Sequence, residues 1–144
     1  MVEQDSAPTP KGSDLGLPAD GPGSVASLGA RVVAFVLDVA AGALIGGLLN
    51  VFVADPEPLQ RSLAANGAFA VQVAVLTALT GQTLGMRLVG LRVLRPASGD
   101  GVLGFLPALV RTALLMLVLP AVVFDRDGRG LHDRAAGTVV VRAR

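Results

Sequence analysis

The sequence has no cysteine, one histidine and few charged residues, and each shortage narrows what the protein can be. Without cysteine there are no disulfides, no thiol chemistry and no cysteine-ligated metal. His132 alone cannot build a zinc site, and no nucleophile accompanies it to form a catalytic triad. We therefore predict that the chain is not an enzyme and that it holds no cofactor.

Charged residues are scarce and unevenly distributed. They make up 16% of the chain, whereas a soluble domain carries about a quarter. The mean hydropathy is +0.64, and the charges lie between long apolar runs. A net charge of +1 gives no basic field for nucleic acid, so no nucleic-acid partner is expected. The pattern predicts an integral membrane protein in contact with the lipid bilayer.

Three apolar segments are visible, at about 27–53, 63–80 and 102–124. The first two are long enough to cross about 30 Å of hydrocarbon as helices. The third contains Arg111, Pro107 and Pro120, so spanning and re-entrant versions both stay open. We predict an all-α integral membrane fold, a small bundle of two transmembrane helices plus this third segment.

The connection after the second segment is polar. It begins at Gly81 and Gly85, which predict a tight turn; a phosphate-binding loop is excluded because the Gly-Lys-Ser/Thr ending is missing. Arg87 and Arg92 follow and are expected at the lipid headgroups. Residues 91–94 fit either a strand that enters a hairpin or a short interfacial helix. We predict a short hairpin-like loop in this connection.

Charge asymmetry predicts the orientation. The connection after the second segment carries three arginines, whereas the one before it carries two acids and a single arginine. The positive-inside rule therefore places the N-terminus in the cytoplasm of a multi-pass protein. Eleven arginines against one lysine are typical of a GC-rich bacterial genome, which predicts the bacterial plasma membrane.

The N-terminal residues 1–23 are rich in proline and glycine and cannot bury a core. We predict a flexible tail that serves as a docking strap for other membrane subunits. Residues 24–144 are predicted to form the membrane domain.

Asp38 interrupts the first apolar segment. A lone carboxylate in the bilayer costs roughly 2.5–3.5 kcal/mol on insertion scales, which predicts a partner. Arg111 of the third segment is the expected one, because both charges reach a similar depth. The pair then either pins helix packing or lets Asp38 bind a cation or relay a proton.

Small residues surround Asp38 at four-residue spacing. Ala34, Gly42 and Gly46 share its helical face, and the last two form a GxxxG pair. We predict that they allow close helix packing.

Three stretches together resemble the RDD family of membrane proteins: 31–38 (RVVAFVLD), 81–93 (GQTLGMRLVGLRV) and 131–140 (LHDRAAGTVV). The resemblance covers about residues 27–142. The family is named for one arginine and two aspartates, which it places here at Arg31, Asp38 and Asp133. Transport, including sodium/proton exchange, is suggested for some members. Asp133 is expected to cap a helix or to form a salt bridge with Arg87 or Arg92.

Two functions from different classes follow. The first is a non-catalytic accessory or structural subunit of a larger bacterial membrane complex, with a respiratory-chain assembly as one candidate host. The alternative is an oligomeric transporter or cation/proton exchanger that uses Asp38, oligomeric because one chain has too few helices to line a path.

Overall fold

The computed structural model describes residues 8–96, 103–117 and 128–144. Five α-helices and two strands lie in these ranges, together with a 3-10 turn at Ser13–Leu15. The elements are α1 (Leu28–Asn50), α2 (Pro58–Thr80), α3 (Leu84–Val89), β1 (Leu91–Leu94), α4 (Phe105–Met116), α5 (Leu131–Ala135) and β2 (Val139–Arg142). The fold is mostly helical, as predicted.

The helices α1 and α2 are each 23 residues long, or about 34 Å at 1.5 Å per residue. Ser27 caps α1 by accepting a hydrogen bond from the backbone N–H of Ala30. Pro58 opens α2 five residues before the predicted start, because proline suits the first turn of a helix. Both helices are long and apolar enough to cross a membrane, which confirms this part of the prediction.

The outer faces of α1 and α2 are apolar and uncovered. Leu44 is 75% exposed, Leu48 is 63% exposed and Leu63 is 64% exposed. A helix in the core of a soluble protein buries such side chains, because large exposed apolar patches are rare on soluble monomers. These faces therefore suit hydrocarbon or another apolar surface.

Small residues line the contact between α1 and α2. The buried positions of α1 are Ala34, Asp38, Gly42 and Gly46, one per turn. A Cβ built on Gly42 would lie 2.7 Å from the Cβ of Phe69, and one on Gly46 would lie 2.5 Å from the Cα of Ala65. The two glycines thus let the helix backbones approach closely, in the way that small-residue motifs allow in membranes.

The two strands form an antiparallel sheet, which corrects the all-α prediction. β1 pairs with β2 from Leu91↔Arg142 to Leu94↔Val139. The prediction of a hairpin-like loop is therefore wrong. β1 pairs with the C-terminal strand β2 and not across the turn that follows β1. Three consecutive valines of β2 are fully buried, and β-branched side chains favour strands on such a surface.

The end of the N-terminal tail covers the other edge of β2. The N–H of Gly23 donates to the carbonyl of Arg142, and the N–H of Ala26 donates to the carbonyl of Val140, both at 2.9 Å. An uncovered strand edge would leave these backbone groups unpaired. The predicted strap therefore docks on its own chain at Gly23, while residues 1–7 lie outside the described residues.

The described part of the third apolar segment is α4, which packs mainly on α2 and α5. The predicted pair of Arg111 with Asp38 would instead require this helix to pack on α1. Residues 118–127 lie outside the described residues, and with them the path that the segment follows after α4.

Residues 23–26, α3, β1, α5 and β2 together form a layer that we call the cap. The cap lies beside the start of α1 and the end of α2, since Val140 bonds to Ala26 and the N–H of Val93 donates to the carbonyl of Gly81 at 2.7 Å. The charged residues lie where this cap meets α1 and α4.

Candidate functional site

Asp38 lies in the middle of α1 with its carboxylate buried against the start of α3. The hydroxyl of Thr83 donates to one oxygen at 2.5 Å, and the N–H of Gly85 donates to the other at 2.8 Å. Thr83 is also the N-cap of α3, because its Oγ1 accepts a hydrogen bond from the N–H of Met86. The carboxylate therefore fastens the first turn of α3 to α1.

Gly85 makes this contact possible. A Cβ at this position would collide with the carbonyl oxygen of Ala34 in α1. Ala34 itself is 1% exposed, so neither backbone can move aside without disturbing the core. Gly81 lies in a tight turn, as predicted. It ends α2 in the left-handed conformation that favours glycine (φ 69°). The two glycines thus serve different ends, close packing and turn formation.

Asp133 lies at the centre of a second set of charged residues, apart from Asp38, and is completely buried. Nε of Arg111 donates to its Oδ1 at 2.8 Å, and Nη1 of Arg31 lies 3.5 Å from its Oδ2. Burial alone would raise the pKa of the Asp133 carboxyl, but Arg111, His132 and Arg31 together hold that pKa below its usual range. Asp133 is therefore a carboxylate joining α5 to both α4 and α1.

Arg31 adds a tie between α1 and the cap. Its Nη2 donates to the carbonyl of Val140 at 3.2 Å, while its Nη1 faces Asp133. One guanidinium thus holds β2 and α5 against the start of α1. Such fork-like use of a planar guanidinium is a property that lysine does not offer.

The predicted ion pair between Asp38 and Arg111 is wrong. No ion pair within 4.0 Å joins these two described residues; Asp38 is bonded by Thr83 and Gly85, and Arg111 by Asp133. The physical reason is that α3 supplies a hydroxyl and an amide directly over Asp38. The α5 turn meanwhile brings a second carboxylate to Arg111.

The predicted partners of Asp133 are also wrong. Arg87 and Arg92 are exposed, and Asp133 pairs with Arg111 and Arg31 instead. A salt bridge does hold the C-terminal segment, as expected. It joins that segment to α1 and α4 and not to the α3–β1 connection. The placement of Arg87 and Arg92 at lipid headgroups stays a prediction.

A cavity of about 190 Å³ separates the two carboxylates. Its polar lining comes from Arg31, Asp38, Thr83, Arg111, His132 and Asp133, and the remaining wall is apolar. Asp38 and Arg111 thus face one space without touching. Within the ranges 8–96, 103–117 and 128–144, no cluster of His, Asp or Glu side chains suits a metal ion.

Two threonines, Thr83 and Thr138, hold parts of the site but were not predicted from the sequence. Thr83 lies directly before the first residue of α3, a position where Ser or Thr indicates a helix N-cap. Its capping role could therefore be predicted from the sequence. The hydroxyl of Thr138 donates to the backbone carbonyl of Asp133 at 3.2 Å and closes the turn between α5 and β2. Only the fold reveals that this turn carries Asp133 to Arg111.

Comparison with known proteins gives one match. The model of the RDD family matches residues 25–137, which include Arg31, Asp38 and Asp133. No curated protein and no solved structure matches the chain. Family membership and two bare apolar helices together indicate a membrane protein.

Proposed function

Because this chain belongs to the RDD family over residues 25–137, we propose that it acts as a non-catalytic structural subunit of a larger membrane assembly. The observation that carries the proposal is the use of the three family residues. Arg31, Asp38 and Asp133 all bond to groups of their own chain, and each ties a different element to the helices.

The bonding of Asp38 favours a structural role over ion handling. Both of its oxygens already accept hydrogen bonds, one from Thr83 and one from Gly85. A cation or a relayed proton at Asp38 would share each oxygen with a donor that already holds α3. Removing one member of a buried charged group leaves the others unpaired, which is strongly destabilising. These residues are therefore expected to resist substitution for reasons of folding.

The surface left for a partner is apolar. The outer sides of α1 and α2 carry exposed leucine and valine side chains, and the space beside Gly47 is open. Two crossing helices are few for a transport path, whereas an exposed glycine allows a partner helix to approach closely. We assign the outer face of α1 around Gly47 as the partner-binding face.

The arrangement of the cap supports a topology. The segment before α1, both strands and α5 lie at one end of the two long helices, and that end carries six of the twelve basic residues: Arg87, Arg92, Arg95, Arg134, Arg142 and Arg144. The opposite end has Asp55, Glu57 and a single Arg61. By the positive-inside rule we propose a multi-pass protein of the bacterial plasma membrane with the cap and both termini in the cytoplasm. The third apolar segment is then re-entrant.

Co-purification tests the subunit proposal. We expect the tagged full chain, extracted from its native membrane in mild detergent, to carry a constant set of other membrane proteins. Gly47→Leu should reduce their yield, whereas Gly29→Leu, which also meets open space on α1, should not. Recovery of the chain alone would refute the proposal. The identity of the recovered proteins also tests the respiratory-chain host, which stays a prediction.

One observation favours the second candidate, an oligomeric cation/proton exchanger. Asp38 does line the cavity that Arg31 and Arg111 also face. Proteoliposomes of the purified chain test it by cation and proton flux. Flux that Asp38→Asn abolishes in a variant that still folds would favour the exchanger and contradict the structural proposal.

A further inference from the structure

Arg111 has a hydrogen-bond donor that no group in the described ranges accepts. The residue is 3% exposed and its Nε donates to Asp133, yet its Nη1 is buried without an acceptor. Arg111 lines the cavity of about 190 Å³, which has room for roughly six waters. Leaving a buried, charged donor without an acceptor costs free energy. A ligand in this cavity is therefore expected to supply an acceptor.

The carboxylates around the cavity already have donors as partners. Asp38 accepts from Thr83 and Gly85, and Asp133 faces two guanidinium groups. The buried atom of Arg111 that has no partner is a donor, and a second arginine lines the same cavity. Guanidinium groups favour carboxylate and phosphate oxygens, so an anionic oxygen matches this end of the cavity.

A second cavity continues the first toward the apolar part of α1. It measures about 160 Å³ and shares Phe35 and Leu115 with the first. Its remaining wall is mostly apolar: Val39, Ala43, Ala65, Phe69 and Met116, with one polar residue, Asn66. Along α4 the lining therefore changes from Arg111 to apolar side chains within about one turn, whereas along α1 Asp38 lies between Phe35 and Val39.

The first cavity also borders the outer face of α1. Leu28 and Val32 line it, and each is more than half exposed. In a membrane these side chains face lipid, so an amphiphile can reach the cavity sideways from the bilayer. A polar end followed by an apolar channel is the shape that a lipid headgroup and its acyl chain require.

We propose that the two cavities bind one acidic phospholipid. An anionic phosphodiester oxygen accepts from Nη1 of Arg111, with Arg31 nearby, and part of an acyl chain lies past Phe35 and Leu115 in the second cavity. Arg31 lies in the first turn of α1, at the end of the helix where headgroups are found. The bound lipid would fill the space between α1 and α4.

Native mass spectrometry of the delipidated full chain tests this proposal. The probes are dioleoyl phosphatidylglycerol, dioleoyl phosphatidylcholine and inorganic phosphate. We expect one phosphatidylglycerol per chain, bound roughly tenfold more tightly than phosphatidylcholine, and no phosphate adduct. Leu115→Trp fills the shared wall and should abolish binding, whereas Leu109→Trp, on an exposed site of the same helix outside both cavities, should leave it unchanged.

A second variant tests the donor directly. Arg111→Lys keeps a cation for Asp133 but removes the spare guanidinium N–H, so affinity for phosphatidylglycerol should fall roughly tenfold. If this variant fails to fold, Leu115→Trp against Leu109→Trp still decides. Equal binding by that pair, or equal affinity for both phospholipids, would overturn the proposal. Binding of inorganic phosphate as tight as that of the lipid would overturn it too, in favour of a free-anion site.

Discussion

Replacing Gly46 by alanine should separate the two long helices. The new Cβ would lie 2.5 Å from the Cα and 2.6 Å from the backbone nitrogen of Ala65, distances that side chains do not tolerate. Both obstacles are backbone atoms of α2, so no side-chain rotation relieves the overlap. The helices must part, and the neighbouring contact at Gly42 with Phe69 loosens with them.

The adjacent glycine supplies a matched control. Gly47 has nothing within 4 Å of a built Cβ, so alanine there changes only helix propensity, a gain of about 1 kcal/mol. Gly46→Ala has the same gain but suffers overpacking, which costs about 1–3 kcal/mol. We therefore expect Gly46→Ala to be about 1–3 kcal/mol less stable than Gly47→Ala, although the two substituted residues are adjacent in the chain.

Unfolding of the detergent-solubilised chain measures this difference. Circular dichroism followed during titration with a denaturing detergent gives the free energy of unfolding of each variant. Equal stability of the two alanine variants would refute the close approach of α1 and α2 at Gly46. A variant of Gly46 that is the more stable of the two would refute it as well.

Three further predictions concern the cap. Thr83→Ala removes both a hydrogen bond to Asp38 and the N-cap of α3, so unfolding should become easier by about 1–3 kcal/mol, and Thr83→Ser should restore most of the loss in the same assay. Asp133 has a lowered pKa in the fold, so its contribution to stability is complete above about pH 4 and declines as the pH falls through the lowered pKa. The stability advantage of the parent over Asp133→Asn, measured by unfolding at several pH values, should therefore be constant from about pH 5 to 7 and shrink only below about pH 4; a steady decline from pH 7 would contradict this. Gly85→Ala should lower the melting temperature because its Cβ meets the carbonyl of Ala34, whereas Gly67→Ala, which meets open space, should not.

The sequence predicted the membrane-type architecture because its signals are local. Two uninterrupted apolar runs specify two long helices whatever surrounds them, and both are present. The four-residue spacing of Ala34, Gly42 and Gly46 is equally local, and the structure places all three on the buried side of α1.

The partners of the charged residues could not be predicted in this way. Asp133 meets Arg31 across 102 positions of the chain, and the pairing exists only because β2 returns to the start of α1. Similar depth in the bilayer suggested Arg111 as the partner of Asp38, but depth says nothing about neutral partners. Thr83 and the amide of Gly85 satisfy the carboxylate without any charge, and only the docking of α3 on α1 brings them there.

In this structure the family's charged residues hold the cap against the two long helices. Hydrogen–deuterium exchange of the Asp133→Asn variant, compared with the parent chain, measures whether they do. We expect faster exchange of the β2 amides, Val139–Arg142, while amides in the middle of α2 keep their protection. Unchanged protection of β2 in that variant would contradict the claim.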